Sequence, residues 1–153
     1  MNWEQKFQKI LGDSGLTEQD RIEKMLDLGL DFLGLGIGLV SHIDNDVYKV
    51  MYACSPGDMI EPGTVFSVGS TYCCHTLQAN DSVGFHNAGV SEIATHPCYS
   101  HFKLESYIGA PITRDGKVIG TVNFSAAAAR DPFTEDEFHF IDTLANWLGS
   151  NSP

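Results

Sequence analysis

Positive charge is scarce in this chain. Lys and Arg number 9 against 20 Asp and Glu, a formal net charge of −11 over 153 residues. Nucleic acid and anionic membranes are held by clustered cations, so neither is expected as a direct partner. Long apolar runs are also missing, and no stretch has the length of a membrane span. The opening residues, Met1-Asn-Trp-Glu-Gln-Lys6, lack the charged-then-apolar form of a secretory signal, so a cytoplasmic location is expected. Cysteines are few, at 54, 73, 74 and 98, and no pair has a C-x-x-C spacing. In such a compartment they are expected as thiols rather than disulfides. No internal repeat or low-complexity tract is present, and the length suits one domain with a sizeable core.

What the chain does contain is β-branched alternation. Ser106 to Arg114 and Lys117 to Ser125 form two such runs around Asp115-Gly116. Asp-Gly between alternating runs predicts a two-residue type I′ hairpin turn, with φ > 0 at both positions. Such a turn pairs Thr113 with Val118. Continued without interruption, it pairs Ile112 with Ile119, Ala110 with Thr121 and Ile108 with Asn123. Alternation then puts Ile108, Ala110, Ile112, Ile119, Thr121 and Asn123 on one face. Tyr107, Gly109, Pro111, Thr113, Val118, Gly120, Val122 and Phe124 share the other. Both faces are mostly apolar, so the hairpin is expected at the centre of a sheet covered on both sides. Pro111 predicts a bulge or an edge-facing position, and a bulge would shift the register beyond it.

Elsewhere the periodicity is helical or short-stranded. Trp3, Phe7, Ile10 and Leu11 mark one helix face, closed by Gly12-Asp-Ser-Gly15. Thr17 with Asp20, and Thr134 with Glu137, have capping-box spacing and predict the starts of two further helices. The second carries the stripe Ile22, Met25, Leu26, Phe32 and Leu33. The last carries an apolar sweep of about half its circumference, including Phe140, Leu144 and Trp147. Residues 35–43, 47–54, 65–66 and 82–86 read as strands, 70–79 as a short helix, 87–94 as irregular chain, and 95–97 as the start of another short helix. Ala126 to Ala129 reads as a loop. The expected class is α+β. A central antiparallel β-sheet of five or six strands has terminal helices on one face and short helices and loops on the other. Residues 1–16 are expected as a helical extension and 17–150 as the domain.

These residues also carry a family resemblance. Tyr107-x-Gly109-x-Pro111, Asp115-Gly116, Ile119-Gly-Thr-Val122, Phe124 and the acid-rich last helix together resemble a GAF domain. Thr71-Tyr72-Cys73 with its following helix, and Pro132-Phe133-Thr134 leading to Leu144-Ala145-x-Trp147, resemble the sensory subgroup. That subgroup lies beside histidine kinases, cyclase modules and transcriptional activators in microbes. The resemblance covers about residues 17 to 149 and implies a GAF/PAS-like fold. Its motifs mark the fold rather than a ligand.

Several constellations could carry chemistry. His96-x-Cys98-x-x-His101 is the densest group of metal-type ligands, and His75 and His86 could join it. Zinc or haem needs three or four such groups to converge, and this spacing matches no standard site. The resemblance adds a tetrapyrrole reading through Cys98, since photosensory GAF domains attach a bilin to a cysteine followed by histidine. Here Tyr99 follows Cys98, and the Cys74-His75 dipeptide lies on the earlier helix. It adds a thiol-enzyme reading too. Free methionine-R-sulfoxide reductases of this fold hold one cysteine in the segment of Cys73 and Cys74 and a catalytic one near Cys98. Attack on the sulfoxide and resolution of a sulfenic acid need two thiols. Carboxylates must also hold the substrate ammonium and assist proton transfer. That family has acids where this chain has Asn123 and Ser125, and Ser-Glu where this chain has Glu105-Ser106.

The remaining reading is a binding site without catalysis. Tyr72, Tyr99, Phe102 and Tyr107 are expected around the space between the sheet and the short helices. Asn123 is a buried amide that must bond either backbone or a ligand. The site is drawn from Tyr72, His75, Phe102, Tyr107 and Asn123, with residues 86–101 as its lid. Nothing singles out a cyclic nucleotide or any other cofactor. The function expected is a non-enzymatic sensory or regulatory domain that binds a small molecule or a protein partner. It would signal through its terminal helices, paired as a homodimer across Phe140 and Trp147 with Trp3 and Phe7. The enzyme reading has a direct test. With the carboxylates missing, a thioredoxin-coupled assay on free methionine sulfoxide should show no NADPH consumption above background. Robust turnover abolished by Cys98→Ser would make the protein an enzyme.

Overall fold

In the computed structural model, residues 2–44, 47–54, 62–67, 82–85, 105–126, 128 and 130–151 are described. The short helix expected at 70–79 and the segment 86–101 expected as a lid lie outside these residues. So do Cys73, Cys74 and Cys98.

Three helices start where side chains can satisfy their free N–H groups. Helix α1, Trp3–Leu11, is capped by Asn2, whose side chain accepts from Gln5 N at 2.9 Å. Helix α2, Glu18–Leu33, starts at Thr17, with Asp20 N donating to Thr17 Oγ1 at 3.1 Å and Thr17 N to Asp20 Oδ2 at 3.2 Å. Helix α3, Glu135–Asn151, begins the same way: Glu137 N donates to Thr134 Oγ1 at 3.1 Å and Thr134 N to Glu137 Oε1 at 2.8 Å. These are the two capping boxes expected from sequence. At the far end of α2, Gly34 takes φ 70°, and the N–H groups of Gly34 and Leu35 both return to the Leu30 carbonyl. That closure uses up Leu35, so the next strand starts at Ile37 rather than at 35.

The strands are β1 (Ile37–Asp44), β2 (Val47–Cys54), β3 (Val65–Ser67), β4 (Val83–Phe85), β5 (Ser106–Arg114) and β6 (Lys117–Ala126). They form one six-stranded antiparallel sheet in the order β3-β2-β1-β6-β5-β4. The β5–β6 hairpin is inside the sheet, as its two apolar faces require. Its turn is of the expected kind, with Asp115 at φ 53° and Gly116 at φ 78°.

The register departs from the uninterrupted pairing. Thr113 faces Val118, but Ile112 faces Gly120, Ala110 faces Val122 and Ile108 faces Phe124. Ile119 is the extra residue. The bulge therefore lies in β6, and Pro111 sits in regular register opposite Thr121. Because side chains alternate with a period of two, one extra residue exchanges the faces of everything beyond it. Val122 and Phe124 join Ile108, Ala110 and Ile112 on one face, and Thr121 and Asn123 join Tyr107, Gly109 and Pro111 on the other. This corrects the face assignment expected for β6. A second bulge, at Met51 in β2, lies between the Val40–Tyr52 and Ser41–Val50 pairs.

The first of these faces carries the main core. Helix α3 packs over β5 and β6, and α2 over β1 and β2. Phe124 is fully buried at their junction, 6.1 Å from the Phe140 ring. It fits because two neighbours have no side chain. A Cβ added at Gly38 would lie 2.9 Å from Phe124 Cε1, and one at Gly29 would collide with the ring. Arg130 ties the ends of the helices together. Its Nη1 donates to the Leu33 carbonyl at 2.8 Å and its Nη2 to Glu137 Oε1 at 2.7 Å, while its guanidinium lies 4.1 Å from the Phe133 centroid. The planar fork suits this three-way contact better than a lysine would.

The wide apolar sweep of α3 is met within the same chain. Trp3 stacks edge-on to Phe140 with centroids 5.2 Å apart, and Phe7 meets Trp147 at 6.4 Å. The residues expected to form a seam between two copies thus also meet within one chain, with Trp147 left half-buried.

Gly29 offers a test in which two effects oppose. Alanine there gains about 0.5–1 kcal/mol of helix propensity. Overpacking against Phe124 costs about 1–3 kcal/mol. Gly29→Ala should therefore lower stability by about 1 kcal/mol, seen as a lower urea midpoint at unchanged slope.

Candidate functional site

The sheet face turned away from the helices is where the expected site residues that are described come together. Tyr107 and Asn123 share that face because of the Ile119 bulge; the uninterrupted register would have placed them on opposite sides. They are not directly opposed, since Tyr107 pairs with Ser125 and Gly109 with Asn123. The Tyr107 ring instead folds over Gly109, where any Cβ would collide with Tyr107 Oη. The glycine thus lets an aromatic side chain lie along the sheet next to Asn123. Tyr72, His75 and Phe102, and the thiol and metal candidates Cys73, His96, Cys98 and His101, lie outside the described residues.

A buried polar strip crosses the three central strands of this face. On β1, Ser41 lies opposite Thr121 of β6, and their hydroxyl oxygens are 2.8 Å apart. The Thr121 amide donates to Ser41 Oγ at 3.1 Å. Two residues along β6, Asn123 Nδ2 donates to Tyr48 Oη of β2 at 3.0 Å and reaches Thr121 Oγ1 at 3.4 Å. Asn123 is 3 % exposed and Tyr48 1 %. Asn123 thus bonds side chains from β2 and β6.

The energetics of the strip favour order. A buried amide or hydroxyl without a partner costs about 1–3 kcal/mol. Each group described here has a partner from another strand or from its own, so the strip locks β2, β1 and β6 side by side. Its apolar surroundings on the same face include Leu39 and Val50, both buried. The described part of the face therefore carries hydroxyls, one amide and aromatic or aliphatic surface.

Tyr48, Ser41 and Thr121 were not expected in the site. Tyr48 was legible in part, since Val47-Tyr-Lys-Val50 alternates exposed and buried. The Ser41–Thr121 contact spans 80 positions and depends on the β1–β6 register, which no local pattern encodes. Among the described residues, no group of three or more His, Cys, Asp or Glu is placed to hold a metal ion. The one described cysteine, Cys54, lies on the helix side of β2 and donates to Asp27 Oδ1 at 3.0 Å. Among them, too, no helix is long and apolar enough to cross a membrane.

Comparison with known proteins agrees with this architecture. The family model for the GAF domain matches residues 18–151. No curated protein matches the chain. Among solved structures, it is similar to the GAF domain from an Acinetobacter phosphoenolpyruvate-protein phosphotransferase, at 18 % identity and TM-score 0.77, covering 98 % of this chain and 93 % of that one. The corresponding GAF domain from a Coxiella burnetii phosphoenolpyruvate-protein phosphotransferase gives 15 % identity and TM-score 0.78, covering 98 % and 92 %. The phycocyanobilin-bound GAF domain from a cyanobacterial phytochrome gives 13 % identity and TM-score 0.77, covering 98 % and 93 %. At these identities the likeness is one of fold.

The polar strip can be tested as a coupled unit. Tyr48→Phe and Asn123→Leu should each destabilise the domain by about 1–2 kcal/mol. A double-mutant cycle between them should show non-additivity of about 1 kcal/mol, read from urea or thermal unfolding. Strict additivity would mean that the 3.0 Å contact contributes nothing.

Proposed function

The chain belongs to the GAF domain family, and from that premise we propose that it is a non-enzymatic sensory or regulatory domain. It binds a small molecule on the sheet face opposite its terminal helices and passes the change to those helices. The observation that carries this reading is the buried strip of Ser41, Tyr48, Thr121 and Asn123 on that face. A sheet face that only needed to be covered would be more cheaply filled with apolar side chains, because polar groups must be desolvated and then fully paired. Tyr107 and Gly109 sit beside the strip and offer a flat aromatic wall. The sequence assigns Tyr72, His75 and Phe102 to the same site.

The route to the helices is short. Strand β6 carries Asn123 on the site face and Phe124, its neighbour, on the helix face. The chain then leaves β6 at Ala126, and the Ser106 hydroxyl donates to the Ala128 carbonyl at 2.8 Å. Arg130 follows, joined to the end of α2 and the start of α3. A displacement of β6 by a ligand would reach both helix ends through these contacts. The output surface is then the helical layer, read by a signalling protein or by a second copy of the chain. That the same fold holds phycocyanobilin in the cyanobacterial phytochrome domain is consistent with a ligand-holding role.

Native mass spectrometry of protein purified from its own host tests the binding step. A mass above that of the 16.7 kDa chain is expected. Asn123→Leu, which keeps the volume but removes the donor, should lose the added mass. An absorption spectrum of the same sample identifies a haem or bilin. The chain's own mass alone, in both proteins, would overturn the reading.

A further inference from the structure

Helix α1 is anchored on the helical layer by few buried side chains. Its two buried residues, Trp3 and Phe7, are one turn apart and sit in the angle between α2 and α3. Trp3 lies edge-on to His139 and Phe140, and its Nε1–H is shared between the two Asp136 carboxylate oxygens at 3.2 Å. Phe7 meets Trp147 further along the same helix. Toward α2 the two helices lie side by side, and the Trp3 ring also meets Phe32 of α2 with centroids 6.1 Å apart. A cleft of about 520 Å³ lies between the two helices, with Ile10, Leu16 and Leu28 among its lining. The ion pair across this side, Lys6 with Asp31, is 3.9 Å long and exposed at both ends, so it contributes little.

Two further features bear on how α1 behaves. At nine residues it is shorter than helices that hold together alone in water, so its helicity depends on docking. The family match starts at residue 18, so the sheet, α2 and α3 are the matched unit and α1 is outside it. Residues 12–16, with Gly12 and Gly15, join the two parts.

We propose that α1 is a strap. It docks on and leaves α2 and α3 as one unit while the sheet, α2 and α3 stay folded, and in its docked state it clamps α3 at Asp136 and Trp147 together and rests on Phe32 of α2. Undocking uncovers the aromatic edge of α3 and frees that helix at both points, so the strap sets how far α3 can move. Elements held by few buried contacts open below the free energy of global unfolding, and the contact pattern places α1 in that class. The proposal is independent of any ligand.

Hydrogen exchange on the full chain, read by mass spectrometry, tests it. Amides of residues 3–11 should exchange at least tenfold faster than those of β5, β6 and the middle turns of α3. Trp3→Phe keeps an aromatic ring and removes the Nε1 donor, and should speed exchange in 3–11 several-fold further with β5 and β6 unchanged. Phe7→Ala should do so more strongly. With two tryptophans in the sequence, Trp3→Phe also leaves Trp147 as the remaining reporter. Adding Phe7→Ala to that variant should shift Trp147 emission to the red and raise its quenching by acrylamide. One common exchange rate for α1, α3, β5 and β6, in the wild type or in either single variant, would overturn the strap.

Discussion

The pairing of β5 with β6 across the Ile119 bulge is the constraint on which the other features depend. Both strands are central and both faces are covered, so a shift of one residue cannot be absorbed at an edge. With the bulge, Val122 and Phe124 point into the helical core, and Thr121 and Asn123 point to the opposite side. Without it, a threonine and an asparagine would face α2 and α3, where the described neighbours are almost all apolar. Burying those groups unpaired would cost several kcal/mol, roughly a large fraction of what a domain this size has to spare. The bulge is thus a requirement of the side-chain order in β6.

The helical layer fits this register closely. Phe124 is accommodated by the missing side chains at Gly29 and Gly38, one on α2 and one on β1, so three elements meet with little room between them. The Arg130 fork then joins the last turn of α2 to the first turn of α3. Its carboxylate partner, Glu137, is also the acid of the α3 capping box, so one side chain serves both the helix start and the interhelical tie. Helix α1 adds to this arrangement through two buried aromatic side chains, Trp3 and Phe7, set against α2 and α3.

The two sides of the sheet have different physics. On the helix side, stability comes from apolar area and shape, and the contacts are tolerant of chemistry but not of volume. On the other side, the strip from Ser41 to Tyr48 depends on matched donors and acceptors, tolerant of neither. In the function proposed above, a ligand bound there would exchange hydrogen bonds with a network that spans β2, β1 and β6. Its effects therefore fall on strand positions rather than on one loose side chain, and β6 is the strand continuous with the linker into α3.

Local chemistry was readable from the residues themselves. The capping boxes at Thr17 and Thr134, the stop at Gly12 and the type I′ turn at Asp115-Gly116 all depend on side chains within a few positions of one another, and each formed as its residues imply. The central place of the hairpin followed from the apolar character of both its faces. The Ile119 bulge did not follow, because several registers satisfy the same alternation and the choice among them is made by what lies across the sheet. Tyr107 and Asn123 could be named as candidates for a site from their type, but their sharing of a face was decided by that bulge. Tyr48 and Ser41 joined the polar strip only through contacts spanning 75 and 80 positions, respectively. The apolar strips show the same limit. Sequence identified Trp3, Phe7, Phe140 and Trp147 as faces in need of cover, and the tertiary structure brought them into contact within one chain, since periodicity shows that a face will be buried but not against what.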